Sequence, residues 1–240
     1  KICFHGSFTG SDRIIFLDYH IPRIYWESPF IFPVLRNNIY NFYLSNIYYF
    51  EIKVDSINFR ESWQDECIGI GFCNRKYNLS SLGYQVGWIK GSFGYHSDDG
   101  GIFIESKNDL AQRKEKWGPG DTIGAGIKYN QNTFEVFFTK NGRFLGFINK
   151  KLIGKNKKYL LTPAISVDSS YGIEVNFGQK EFKFPIENMI LDYFKKPKKL
   201  KIFEADIENV NNYQIFEEIT ANSISQLLLN SFMNFISNNN

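Results

Sequence analysis

Residues 87–103 constrain the fold of this 240-residue chain more than any other stretch. They read Gly-Trp-Ile-Lys-Gly-Ser-Phe-Gly-Tyr-His-Ser-Asp-Asp-Gly-Gly-Ile-Phe, so aromatic residues alternate with glycines before an aspartate-glycine turn. Short alternating runs are typical of strands, and Asp-Gly sequences favour hairpin turns. We expect Phe93 and Tyr95 on one face of a strand and Gly94 and His96 on the other. The stretch therefore predicts antiparallel strands joined by tight turns.

Further short strands are predicted along the chain, at residues 14–17, 24–26, 46–54, 67–72, 122–127, 134–140, 143–147, 159–167 and 172–177. In the third of these, Tyr48 and Phe50 alternate with Tyr49 and Glu51, the pattern of a strand with one buried face. The Asn-Gly pair at 141–142 favours a hairpin between two of the strands. Many short strands without a helical period before about residue 186 predict an all-β, two-layer antiparallel β-sandwich.

The domain boundaries follow from changes in composition. We predict a lead-in at residues 1–12, the sandwich at 13–186, and a linker with a helical C-terminal extension at 187–240. Within the extension, residues 202–219 and 223–236 carry apolar residues at rough helical spacing. Pro33 and Pro163 are expected at sheet edges or bulges, because proline cannot donate to a strand ladder.

Composition limits the possible partners and surroundings. The net charge of +3 is too slight to indicate nucleic acid, and the short basic runs at 155–158 and 195–199 are typical of solvated loops. Three cysteines without a Cys-x-x-Cys pair favour a reducing compartment. No run of eighteen apolar residues occurs, so no membrane span is expected. Because the chain begins at Lys1, we interpret it as a fragment.

Catalytic patterns are weak. The histidines are scattered, and neither they nor the cysteines show metal-ligand spacing, so no metal and no cofactor are expected. A hydrolase that uses His96 with Asp98 is an alternative, but adjacent aspartates before glycines are typical turn formers. No serine lies in a Gly-x-Ser-x-Gly elbow, and the Gly-x-Gly pairs lack a following helix. We therefore predict a protein that is not an enzyme.

Five ordered segments carry a family resemblance. They are residues 48–53, 68–72, 87–100, 137–142 and 175–179, and the third contains Gly-Trp followed by Gly-Tyr-His-Ser-Asp-Asp-Gly. Together they resemble the SPRY domain, a concanavalin-like jelly-roll sandwich, and within that family the Ran-binding (RanBPM) type. The resemblance implies that loops at one end of the sandwich form a shallow groove for short peptide segments of partner proteins.

Candidate groove residues follow from this resemblance and from the loop aromatics. They are Tyr25, Glu27, Glu66, Tyr84, Trp88 and Tyr171. Tryptophan and tyrosine bury a large area at small entropic cost and so dominate many interfaces. The two glutamates favour a basic or neutral peptide. Where relatives place an arginine and a tryptophan in this groove, this chain has Glu27 near the first position and Tyr171 near the second.

The resemblance also implies a function. It indicates a non-catalytic protein-interaction module, acting as a scaffold or substrate-recognition part of a multi-subunit ubiquitin ligase (the CTLH or GID assembly). Membrane-tethered adaptors of HECT-type ligases and secreted effectors also carry such domains, and both alternatives stay open. A carbohydrate-binding lectin is a further alternative, since jelly-roll sandwiches share this layering and Asp98 and Asp99 suit calcium. We expect a cytoplasmic, possibly also nuclear, protein that can self-associate through its C-terminal helix.

Overall fold

The computed structural model describes residues 13–16, 30–56, 66–74, 85–108, 110–130, 133–148, 161–168, 171–194 and 203–204. Within these ranges almost all regular structure is β-strand. The strands are β1 (Arg13–Phe16), β2 (Phe30–Arg36), β3 (Ile39–Ser45), β4 (Ile47–Val54), β5 (Cys67–Asn74), β6 (Ser92–His96), β7 (Gly101–Ile104), β8 (Leu110–Arg113), β9 (Thr122–Asn130), β10 (Thr133–Lys140), β11 (Arg143–Phe147), β12 (Leu161–Asp168), β13 (Ile173–Asn176) and β14 (Phe203–Glu204). One helix, α1, spans Ile186–Phe194. The predicted all-β class is confirmed.

Two antiparallel sheets form the sandwich. One has six strands in the order β1-β12-β5-β6-β7-β8, and the other has five in the order β11-β10-β9-β4-β13. Aromatic rings meet between the sheets, with centroids 5.7 Å apart for Phe50 and Phe72 and 5.5 Å apart for Tyr95 and Phe138. A third sheet of three strands, β14-β3-β2, adjoins them. The core therefore consists of alternate residues from facing strands, as the pattern predicted.

The Asn-Gly pair forms the hairpin turn that the sequence predicted. Asn141 and Gly142 connect β10 to β11 with φ of 52° and 81°. Both angles lie in the left-handed region, which asparagine and glycine tolerate. The predicted hairpin is confirmed with its boundaries. Pro33 lies in β2, at the edge of the three-stranded sheet, as expected. The expectation that Pro163 lies at an edge or a bulge is wrong, since β12 lies between β1 and β5 and pairs with β5 without a register shift; Pro163 lies just beyond the residues that pair with β1.

The prediction that β4 buries only one face is wrong. Tyr49 is fully buried and Glu51 is 3% exposed, because residues 182–184 cover the outer face of the five-stranded sheet. The Tyr49 ring stacks on Phe137 at 5.9 Å and meets Phe182 edge-on at 5.1 Å. Facing glycines leave room for these rings, since a Cβ on Gly126 would lie 2.0 Å from the Phe137 ring. A second aromatic layer thus lies outside the sandwich core.

Glu51 forms hydrogen bonds within this second aromatic layer. Its carboxylate accepts hydrogen bonds from the Tyr49 hydroxyl at 2.8 Å and from the amides of Lys183 and Phe184 at 2.9 Å each. Burial raises the pKa of Glu51, while the two amide hydrogen bonds act to lower it. The buried charge is thus compensated by three donors, and it ties the segment before α1 to the sheet.

Several elements differ from the predictions. The hairpin of β2 and β3 and the short strand β8 were not predicted, and residues 203–204 pair with β3 where a helix was expected. The predicted strand at 24–26 and the predicted helix at 223–236 lie outside the described residues, as does most of 202–219. Among the described residues, no helix is long and apolar enough to cross a membrane. Cys67 and Cys73 are free thiols.

Candidate functional site

A loop at residues 85–88 lies on the outer face of the six-stranded sheet and is held there by three side chains. We call it the anchored loop. The Val86 amide donates to Ser166 Oγ at 3.1 Å, and the Gly87 amide donates to Ser92 Oγ at 2.8 Å. His96 Nε2 lies 2.7 Å from the Val86 carbonyl oxygen and donates its proton to it, because a carbonyl can only accept. These bonds satisfy the loop backbone where it is buried.

Glycines allow the loop to lie this close to the sheet. A Cβ on Gly94 would lie 1.9 Å from the Val86 carbonyl oxygen, so any larger residue would push the loop off the strand. Gly87 has φ of 99° and itself lies against Phe103 and Gly94. The Gly-Trp and Gly-Tyr-His parts of the sequence are therefore two halves of one contact, which explains their residue types physically.

Trp88 is the last residue of the anchored loop and is half-buried. Its ring packs 5.3 Å from the His96 ring and 6.0 Å from the Phe103 ring, with centroids measured in each case. The ammonium of Lys107 lies 4.6 Å above the indole, a cation–π contact. Trp88 is thus fixed in position, with part of its surface open to a partner.

Beside the loop, acidic residues lie at or next to the strand ends around Cys67. Cys67 begins β5 and is the register partner of Asp168 at the end of β12. On its other side, the Cys67 thiol donates to Asp98 Oδ1 at 3.3 Å. With Glu66, which precedes Cys67, and Asp99, which follows Asp98, these residues form what we call the acidic corner: Glu66, Asp98, Asp99 and Asp168.

The acidic corner consists of four carboxylate residues. All four of its residues are half-buried. Asp99 is partly neutralised, since Arg113 lies 3.4 Å from its carboxylate and the Gly101 amide donates to it at 2.6 Å. The Arg113 side chain is 63% exposed, so this pair is a surface ion pair of small energetic weight.

The structure places the predicted site residues in different surroundings. Trp88 and Glu66 lie at the surface formed by the anchored loop and the acidic corner. Tyr171 is 4% exposed and belongs to the core, so its ring is not available to a partner in this conformation. Tyr25, Glu27 and Tyr84 lie outside the described residues. Their partner-binding roles stay predictions.

Sequence reasoning missed the residues that position the loop. Ser166 and Ser92 carry no motif of their own, and His96 was considered only as a strand residue and as a possible partner of Asp98 in catalysis. In the structure His96 is 1% exposed, and its Nε2 is engaged by a backbone carbonyl. Cys67 begins the predicted strand at residues 67–72. The next strand predicted along the chain contains His96 and is followed by Asp98. That placement could have paired Cys67 with Asp98.

Comparisons with known proteins agree on one family. A family model described as SPRY domain matches residues 47–180 of the 240-residue chain. Ran-binding protein 9 of Xenopus tropicalis is 35% identical over 155 residues, which is 62% of this chain and 25% of that protein. The Ran-binding protein M homolog of Arabidopsis thaliana is 37% identical over 146 residues, or 58% of this chain and 27% of its own. The chain thus spans about a quarter of the length of these relatives.

A solved structure is also similar. The crystal structure of a human SPRY domain superposes with a TM-score of 0.46 and 21% identity, and the match covers 74% of this chain and 91% of that one.

Proposed function

The chain belongs to the SPRY domain family, and we propose that it is a non-catalytic protein-interaction module that binds short peptide segments of partner proteins. The binding surface is formed by the anchored loop, Trp88 and the acidic corner. One observation carries this proposal: the side chains of Ser166, Ser92 and His96 each hydrogen-bond to the backbone of the anchored loop. A loop fixed on a rigid scaffold is pre-organised, which reduces the entropic cost of binding.

The chemistry of this surface favours a basic or neutral peptide. The acidic corner supplies carboxylates that pair with lysine or arginine side chains, and Trp88 supplies an aromatic face for an apolar or cationic group. A partner ammonium or guanidinium can replace Lys107 on the exposed side of the indole.

The first experiment selects ligands from a random peptide library with the purified chain. We expect the selected peptides to be enriched in lysine or arginine. Trp88→Ala should weaken their binding by about 1–4 kcal/mol, the range for an interface anchor. Glu66→Gln should weaken binding less and reduce its dependence on salt. Fluorescence polarisation with labelled peptides measures both effects.

Phe144→Ala is the matched control, because Phe144 is a 37% exposed aromatic residue on β11 of the opposite sheet. It should leave peptide affinity unchanged. Selection of no peptides, or equal losses for Trp88→Ala and Phe144→Ala, would contradict the proposed surface.

We further propose that the module acts as a scaffold or substrate-recognition part of a ubiquitin-ligase assembly. This rests on the similarity to Ran-binding proteins of the RanBPM type. The test measures ubiquitination of a protein that carries a selected peptide, in cells with the wild-type or the Trp88→Ala form of the full-length protein. Ubiquitination that does not change with Trp88 would reject this role and leave peptide binding intact.

A further inference from the structure

A cysteine, a histidine and an aspartate meet at the border between the anchored loop and the acidic corner. Cys67, His96 and Asp98 each offer one ligand atom, and these atoms lie within 4.8 Å of one another. They come from two neighbouring strands, since Gly69 of β5 pairs with His96 of β6 and Cys67 therefore lies diagonally beside it. We propose that these three side chains bind Zn²⁺ or a similar borderline divalent ion.

The donor set selects this class of ion. A thiolate, an imidazole and a carboxylate are the three ligand types of protein zinc sites. Calcium and magnesium prefer six or more oxygen ligands in total and do not select sulfur. Because His96 and Cys67 supply nitrogen and sulfur here, the cluster disfavours calcium at this position.

The geometry is close to that of a zinc site. Tetrahedral bonds of 2.0–2.3 Å place ligand atoms about 3.3–3.8 Å apart. Cys67 Sγ and Asp98 Oδ1 are 3.3 Å apart, so this pair already fits. The His96 nitrogen has to approach by up to about 1.5 Å, given the 4.8 Å limit on the cluster. Cys67 and Asp98 are half-buried, so the ion has a path from solvent.

His96 is oriented as zinc-binding histidines usually are. Such residues donate their second ring N–H to a carbonyl or carboxylate, which fixes the tautomer and leaves a lone pair on the other nitrogen. Here Nε2 donates to the Val86 carbonyl at 2.7 Å, and metal binding through Nδ1 would keep this bond. The hydrogen bond that positions the anchored loop is therefore also the outer-shell bond of the metal site.

Binding exchanges a proton for the ion. The Cys67 thiol proton, which is donated to Asp98, leaves to solvent as the thiolate sulfur and the aspartate oxygen bind Zn²⁺. No electron is transferred. The affinity should therefore rise with pH, and calorimetry in buffers of different ionisation enthalpy should show release of about one proton.

The test uses the full chain with any affinity tag removed and metal stripped by a chelator. Isothermal titration calorimetry with ZnCl₂ should show one ion per chain. Titration with CoCl₂ should produce the thiolate-to-cobalt charge-transfer band of a cysteine-bound ion. Cys67→Ser and Asp98→Asn should each weaken binding at least tenfold, and Cys67→Ser should abolish the band.

Cys73→Ala is the matched control. Burial raises the pKa of the Cys73 thiol to about 12, and Cys73 lies at the other end of β5. This variant should keep the affinity and the band. Circular dichroism without metal should be the same for all variants, and Zn²⁺ should raise the melting temperature of the wild type but not of Cys67→Ser. Absence of a thiolate band, or equal affinity in Cys67→Ser and the wild type, would overturn the proposal while leaving peptide binding unaffected.

Discussion

Ser166 provides the sharpest test of the anchored loop. Its hydroxyl accepts a hydrogen bond from the Val86 amide at 3.1 Å and donates one to Gln85 Oε1. All three residues are fully buried. Ser166→Ala removes both bonds without adding atoms. We therefore expect the anchored loop to open more often while the sandwich keeps its fold.

The magnitude follows from the unpaired groups. A buried donor or acceptor that loses its partner costs about 1–3 kcal/mol. If the Val86 amide alone bears this cost, opening of the loop becomes roughly 5- to 150-fold more frequent, since about 1.4 kcal/mol is tenfold. His96 and Ser92 still hold the loop in this variant, so complete detachment is not expected.

Native-state hydrogen exchange measures this locally. The amides of Val86 and Gly87 should lose protection by that factor, and the amide of Phe72 in β5 should change only with global stability. Thr139→Val is the control, because Thr139 is a buried hydroxyl, 2.7 Å from the Tyr49 hydroxyl, on the opposite sheet. It should lower global stability without selective exposure of residues 86–87. Unchanged exchange at Val86 in Ser166→Ala, or equal changes in both sheets, would refute the anchoring argument.

Two further predictions concern stability. Burial raises the pKa of Glu51 in the folded protein above 4.5, so its stabilising effect is complete below that value and declines as pH rises through the folded pKa. Urea unfolding from pH 4.5 to neutral should show this decline in the wild type and not in Glu51→Gln; parallel pH profiles would contradict it. Phe138→Ala should lower the free energy of unfolding by about 3–5 kcal/mol through cavity formation, because the ring is fully buried between the sheets. Phe144→Ala, at a 37% exposed ring, should lower the free energy of unfolding clearly less. Equal losses in the two variants would show that the Phe138 face of β10 does not lie in the core.

Elements that depend on local signals could be predicted from the sequence. The hairpin at Asn141 and the strand containing Phe93 follow from turn chemistry and period-two alternation, which involve residues only a few positions apart. The hairpin of β2 and β3 was missed because Pro33 was compatible with either a sheet edge or a loop. It forms because that strand lies at an edge, a property of the sheet and not of the segment.

The candidate site was predicted only in part. Trp88 and Glu66 were selected for their residue types and lie at the surface we propose. Tyr171 was selected for the same reason but is buried, since residue type does not distinguish a core aromatic from an interface aromatic. The anchoring role of His96 required knowledge that Val86, ten residues earlier in the chain, folds back over the sheet.

The amino-acid sequence by itself determined most strands of the sandwich, the Asn-Gly hairpin and the family, because these depend on neighbouring residues and on ordered motifs along the chain. Only the tertiary structure decided which faces are covered and which distant residues meet. Glu51 contacts residues 132 and 133 positions away, and Cys67 meets Asp98 across 31 positions. The physical reason is that strand order and register set these contacts, and both are chosen by the packing of the whole sandwich.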